Sequence, residues 1–179
     1  MLKKRYELRE NFTGNERPDL KTIVDVTLTD TEIIFEFDCK NSQLYSASDV
    51  YNADLWKGDV CEAFICTDGT RKFYYEIEVA PNNAVFLKYM EYLSPGNLIE
   101  NDIEENFVKS EVHANGNDYK LKFSLPLDKI GYNKERGILY NIFRIETEGG
   151  IQDKNLLAMN PTLCETFHNN EFFVELKED

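Results

Sequence analysis

The stretch Leu55–Pro81, LWKGDVCEAFICTDGTRKFYYEIEVAP, gathers the residues best suited to chemistry. It holds the chain's only tryptophan, Trp56, six residues before the acidic Glu62. An Asp68-Gly69 turn follows, then a segment with two adjacent tyrosines, Tyr74 and Tyr75, and two carboxylates, Glu76 and Glu78. An indole face stacks on the apolar C–H face of a pyranose, and carboxylates accept hydrogen bonds from hydroxyl groups. An aromatic plate beside carboxylates on a rigid sheet is therefore suited to holding a sugar. The same residue types also serve packing alone, with Trp56 as a core plug and the carboxylates solvated.

Other residues bear on the same chemistry. Glu62 alternates with Val60 and Phe64, which puts it semi-buried or on a groove face, and a buried carboxylate needs a partner. Arg144, within Ile142-Phe143-Arg144-Ile145, is the natural candidate. The two form either a structural ion pair or a polar set that shares a ligand. Tyr75 and Glu76 point to opposite faces of their strand, and the register decides which one lines the groove. Asp54, Asp59, Asp68 and Glu76 could offer oxygen ligands to calcium, although a D-x-D-x-D-G loop is absent. His168, in FHNNEF, reads as hydrogen-bonded to a loop carbonyl. Cys164 and His168 stand at i, i+4, which aligns two side chains only on a helix, and no helix signal surrounds them. With 33 acidic residues in the chain, some carboxylate pair at glycosidase spacing is inevitable and carries no weight.

The elements that must position these groups are strands. Thr22–Leu28 and Glu32–Asp38 alternate apolar and polar around the turn Thr29-Asp30-Thr31, which predicts a hairpin. Val60–Cys66 and Phe73–Val79 form a second hairpin, with Phe73, Tyr75, Ile77 and Val79 on one face and Tyr74, Glu76 and Glu78 on the other. Ala84–Tyr89 follows the turn at Pro81-Asn82-Asn83. Phe107–His113 and Tyr119–Leu125 flank the turn Asn115-Gly116-Asn117-Asp118. Pro126–Gly131 reads as one helical turn, with Pro at its start and Gly at its end. Leu139–Glu146 and Phe172–Leu176 complete about ten short strands. This spacing predicts a single all-β domain over 1–179, an antiparallel β-sandwich with jelly-roll-like connections and one or two short helical turns. Two long loops, 41–57 and 149–170, are where function would sit.

The bulk properties narrow the partners. A net charge of −13 repels nucleic acid, and no basic cluster exists beyond Lys3-Lys4-Arg5, which reads as a solvated terminus. An acidic surface suits a neutral ligand, a cation or a basic partner. No run of 18 apolar residues appears, so no membrane-spanning helix is expected. The first residues, MLKKRYELRENF, lack the apolar stretch of a signal peptide. The expectation is a cytoplasmic protein, or a secreted one if the chain has been trimmed. Cys39, Cys61, Cys66 and Cys164 show no zinc-ligand spacing and read as reduced thiols, with Cys61 and Cys66 on opposite faces of one strand.

Six segments, in order over about 155 residues, resemble the family 9 carbohydrate-binding modules and their wider family 9-like, DOMON-type relatives. They are IVDVTLTDTEIIFEFDC, NADLWKGDVCEAFICTDG, KFYYEIEVAPNN, LKFSLPLDKIG, YNIFRIE and AMNPTLCETFHNNEFFVEL. The resemblance implies a non-catalytic β-sandwich that holds the end of a glucan or xylan chain between two tryptophans and binds structural calcium. It matches Trp56 to the first tryptophan and Glu62 to a sugar-contacting carboxylate. The chain departs at the second plate, where Met159 offers a thioether instead of a flat face. The implied partner is a small saccharide or a polysaccharide end, with Trp56 stacked on the ring and Glu62, Arg144 and Tyr75 or Glu76 taking hydroxyls. Some related sandwiches bind haem through a Met/His pair, for which His168 with Met90 or Met159 is the candidate set here.

Overall fold

The computed structural model describes residues 1–40, 43–150 and 154–177. The parts of the two long loops at 41–42 and 151–153 lie outside the described residues. Two antiparallel sheets stack face to face. The smaller has the order β1 (Leu2–Glu7), β3 (Thr22–Leu28), β4 (Glu32–Cys39), β10 (Asp118–Pro126), β9 (Lys109–Asn115). The larger runs β2 (Arg9–Glu10), β12 (Asn155–Ala158), β11 (Leu139–Glu146), β5 (Val60–Cys66), β6 (Phe73–Val79), β7 (Val85–Ser94), β8 (Asn97–Asp102). A last short strand, β13 (Val174–Glu175), pairs with β11. The fold is the antiparallel β-sandwich that the strand spacing predicts.

Alternation places every second residue between the sheets. Val24, Val26, Ile33, Phe35 and Phe37 of the smaller sheet meet Ala63, Ile65, Ile77, Val79, Tyr140 and Ile142 of the larger one. Each large apolar side chain buried there contributes about 1.5–3 kcal/mol. The larger sheet is also apolar on its outer face. Leu55, Val60, Phe64, Tyr74, Phe86, Met90, Phe143, Phe167 and Phe173 form a second buried cluster. This accounts for the unbroken burial of β5, because an antiparallel strand usually buries one face only.

The segment after β12 covers that outer face, and specific bonds hold it down. Arg71 Nη1 donates to the carbonyls of Asn170 at 2.8 Å and Phe173 at 2.7 Å, while Asn170 Nδ2 donates to the Arg71 carbonyl at 2.6 Å. Asn11 Nδ2 donates to Thr162 Oγ1 at 2.8 Å, and Thr162 N–H returns a bond to Asn11 Oδ1 at 2.9 Å.

Three details differ from the sequence expectations. Lys3, Lys4 and Arg5 belong to the edge strand β1 and not to a solvated tail, and Arg5 pairs with Asp25 across the strand at 2.6 Å. Charged residues on an edge strand discourage further pairing. Pro126–Gly131 forms a hydrogen-bonded turn short of a helix, with Lys129 N–H on the Pro126 carbonyl at 3.2 Å, Tyr132 N–H on the Leu127 carbonyl at 3.0 Å and Gly131 at φ +62°. The chain there turns back to bond Leu127 N–H to the Thr31 carbonyl at 2.9 Å. The helical turns are of the tighter 3-10 type, at Pro18–Leu20, Leu55–Lys57 and Asn170–Phe172. Among the described residues, no helix is long and apolar enough to cross a membrane.

Candidate functional site

The β5–β6 hairpin sets the site. Its register pairs Glu62 with Glu78 and Phe64 with Glu76, and all four point to the outer face of the larger sheet. Three glutamates on two neighbouring strands thereby stand side by side. Their oxygens lie within 4.8 Å of one another. They form the floor of a groove of about 540 Å³. Its walls are Trp56, Lys154 and Leu156 on one side, and the β7–β8 hairpin tip with Thr166, Phe167 and His168 on the other.

Trp56 is set in place by its neighbours in sequence. It lies in the 3-10 turn Leu55–Lys57, which Gly58 ends. A Cβ on Gly58 would come within 2.7 Å of Ala47 N and 2.8 Å of Tyr45 O, so only glycine lets these two backbones approach. Asp59 is buried next to it. Its Oδ1 accepts from Thr147 N–H at 2.8 Å and Thr147 Oγ1 at 2.7 Å, and its Oδ2 accepts from Tyr45 N–H at 3.0 Å. The indole is 43% exposed. The Lys154 ammonium donates to the Trp56 carbonyl at 2.6 Å and stands 4.3 Å from the ring centre. Lys57 contributes a second, weaker cation–π contact at 5.4 Å.

The opposite wall is fixed by the turn Pro95-Gly96, where Gly96 takes φ +70°. Its N–H donates to the His168 carbonyl at 2.9 Å. The His168 ring stacks on Phe64 at 5.0 Å, and its Nδ1 is 2.7 Å from the Tyr74 hydroxyl. Burial pushes His168 down to about 4, so it is neutral at pH 7. Phe167 stacks on Phe143 at 4.2 Å.

The electrostatics of the floor are unusual. Glu62, Glu76 and Glu78 are 2%, 4% and 1% exposed. Burial, then the charge of Glu78, pushes Glu62 well above the carboxylate range, and burial with both neighbours does the same to Glu76. Burial pushes Glu78 up to about 8, against hydrogen bonds from Glu76 and the Trp56 backbone N–H and the positive charge of Lys154. One oxygen of each carboxylate has no hydrogen-bond partner: Glu62 Oε1, Glu76 Oε2 and Glu78 Oε2.

The structure brings Trp56, Glu62 and Glu76 together and places the other three expected site residues elsewhere. Tyr75 shares the parity of Ile77, faces the space between the sheets, and rests against Tyr89 and Phe107. Arg144 shares the parity of Tyr140 and Ile142, so it too points inward, and the expected Glu62–Arg144 pair does not form. Its guanidinium finds other partners there: Thr22 Oγ1 at 2.8 Å and the Leu20 and Lys40 carbonyls at 3.3 Å, with the Tyr119 ring 5.6 Å away. Met159 donates its N–H to the Ile142 carbonyl at 2.8 Å, one step past the outward pair Phe143–Ala158. It therefore packs against the inter-sheet core and cannot be a second plate.

The oxygen set considered for calcium does not converge. Asp54 pairs with Lys57 at 2.6 Å, Asp59 is held by Thr147 and Tyr45, and Asp68 accepts from Thr70 at 2.8 Å. Of the residues considered for haem, His168 contacts Phe64 and Tyr74, Met159 lies on the far side of the sheet, and Met90, opposite Tyr74 in the ladder, is buried in the outer-face cluster. The sequence reading missed Glu78, Lys154 and the groove wall at Thr166–His168. Glu78 was partly readable: its parity matches Glu76, while its place opposite Glu62 follows from a register centred on Thr70. Lys154 carried no local signal.

Comparison with known proteins agrees with this architecture. No family model matches the chain. A curated relative from the fungus Arthroderma benhamiae, named only as an extracellular protein, is 23% identical over 175 residues, covering 89% of this chain and 79% of its own length. Among solved structures, a Bacteroides uniformis protein with a provisional carbohydrate-binding name superposes with a TM-score of 0.75 at 16% identity, covering 95% of this chain and 84% of that one. A family 9 carbohydrate-binding module from Caldicellulosiruptor kristjanssonii, solved with glucose, gives 0.67 at 13% identity over 96% of this chain and 83% of that one. One from the same organism solved with cellotriose gives 0.68 at 10% identity, over 96% of this chain and 80% of that one. The chain thus has the β-sandwich fold of the family 9 carbohydrate-binding modules.

Proposed function

We propose that this domain is a non-catalytic carbohydrate-binding module that takes a short saccharide, a β-linked glucan or xylan fragment, in the groove between Trp56 and His168. The observation that carries this reading is Trp56 itself. The only indole of the chain stands 43% exposed at the rim of a groove floored by unpartnered carboxylate oxygens. A pyranose ring stacked there would set its hydroxyls over Glu62, Glu76 and Glu78. The groove's volume of about 540 Å³ falls within the usual range of small-molecule sites. The shared fold with modules solved in complex with glucose and cellotriose supports the reading.

Two features shape the affinity. With Met159 turned inward there is one aromatic plate, so half of a two-sided clamp is missing. Lys154 also stands over the indole, and a sugar on that face must displace a contact of about 0.5–2 kcal/mol. Weak binding follows, with little discrimination among sugars that share an equatorial, flat C–H face. Glycoside hydrolysis needs carboxylates on either side of the scissile bond, whereas these three stand together on one floor. Binding without cleavage is the chemistry they suit.

Calorimetric titration with glucose, cellotriose and xylotriose is the test. The expected result is 1:1 binding to at least one of them that disappears in Trp56→Ala. No heat from any of the three would overturn the reading.

A further inference from the structure

Three carboxylates packed together in a nearly dry environment need compensation. Little is available from the protein. Glu62 makes no hydrogen bond and is 2% exposed, with Oε1 turned into the cluster. Glu76 and Glu78 share one bond between themselves, and the Trp56 N–H reaches Glu78. Lys154, whose charge reaches Glu62 and Glu78, is engaged by the Trp56 carbonyl, and Lys88, opposite Glu76 in the ladder, by Glu100 at 2.7 Å and Asp102 at 3.3 Å. The only basic group within ion-pair distance among the described residues is His168, 3.9 Å from Glu76 Oε2 and already bonded to Tyr74. Directly opposed like charges destabilise a strand pair, yet Glu62 faces Glu78 across the ladder.

We propose that Glu62, Glu76 and Glu78 bind one divalent cation of the calcium class at the floor of the groove. Hard cations take oxygen ligands, and calcium accepts them at about 2.3–2.6 Å with flexible geometry. Oxygens within 4.8 Å of one another can share such an ion. Magnesium fits less well, because it demands bonds of about 2.0–2.1 Å and near-ideal octahedral geometry. All three ligands come from the central strands β5 and β6, so the site is rigid before the ion arrives. The three residues also line the groove, so further ligands to the ion would come from that side. The cation itself does not require the saccharide reading. Its further use as an anchor for neighbouring sugar hydroxyls rests on that reading.

The test is calorimetric titration of calcium chloride into protein stripped with EDTA, with no sugar present. Terbium luminescence sensitised by Trp56 in the same groove is the second readout. One ion per chain is expected. Glu62→Gln and Glu78→Gln should each weaken calcium at least roughly tenfold while the metal-free variants melt no lower than the parent. Absence of a saturable site for calcium, magnesium, manganese and terbium would overturn the proposal. So would calcium binding that both variants retain, since the ion would then sit elsewhere on an acidic surface. Sugar titrations run separately in EDTA keep the two readings apart, because a failed sugar titration leaves the metal result standing and the reverse also holds.

Discussion

The two outer faces of this sandwich carry the same residue types and treat them in opposite ways. On the smaller sheet, Asp25, Asp38 and Glu36 point outward beside Arg5, Lys40 and Lys122, and the side chains of these pairs are 38–71% exposed. That face holds a trough of about 480 Å³ lined largely by charged side chains of both signs. On the larger sheet, Glu62, Glu76 and Glu78 are buried, each with one oxygen unbonded, and are roofed by loops. Solvated, paired carboxylates are the ordinary state of a surface and contribute about 0–1 kcal/mol each. Buried carboxylates that each leave an oxygen unbonded act against stability, and a ligand gives them a reason to be there. The contrast supports the proposal that the outer face of the larger sheet is the binding face.

The largest expected effect tests whether that face is a second core. Phe143 is fully buried there, stacked on Phe167 and packed at a tilt against Phe64. Phe143→Ala should lower stability by about 3–5 kcal/mol in denaturant unfolding. A loss comparable to a surface change would show that the loops do not seal the face.

Next comes the indole. Trp56→Ala should remove about 1–3 kcal/mol of saccharide binding in calorimetry. It should change stability by only about 0.5 kcal/mol, as exposed positions do. A large drop in melting temperature would return Trp56 to the core.

The pH dependence sharpens the comparison further. Glu78 titrates at about 8 in the folded protein, above its unfolded value of 4.5. Between those values the folded state holds a proton that the unfolded chain has released. Stability is therefore full below about 4.5 and is lost as the pH rises through about 8. His168, lowered to about 4 from 6.5, acts in the opposite direction, but only below about 6.5. In EDTA-treated protein, stability should fall between about pH 6.5 and 8 by on the order of 1 kcal/mol per pH unit. Glu62 and Glu76 are raised in the same direction, so Glu78→Gln should reduce that slope without abolishing it, and an unchanged slope would place its origin elsewhere. The smallest effect belongs to the other face: Lys122→Ala should move stability by no more than about 0.5 kcal/mol.

Much of this arrangement was legible in the amino-acid order. The alternation Val60, Glu62, Phe64 and the facing set Tyr74, Glu76, Glu78 foretold which side chains share a face, because parity is a local property of a strand. Arg144 shows where local reading stops. Its neighbours Tyr140 and Ile142 already marked its face as inward, but a charged residue between sheets looked improbable until its acceptors at Leu20, Thr22 and Lys40 were in view. Those lie more than 100 residues away in sequence. The same holds for β12, whose four residues sit inside what reads as a loop and pair with β11 only through register. Lys154 reaches Trp56 across 98 residues, and no spacing rule connects them. Met159 was placed by alignment to a motif, whereas its direction follows from the strand step after Ala158.

The central claim is that the groove face of the larger sheet receives a saccharide at Trp56. Because this is the only tryptophan, its fluorescence reports on that one position. Titration with cellotriose should shift or quench the emission in a saturable way and protect it from a soluble quencher. Emission and quencher access that stay constant up to high concentrations of glucose, cellotriose and xylotriose would contradict it.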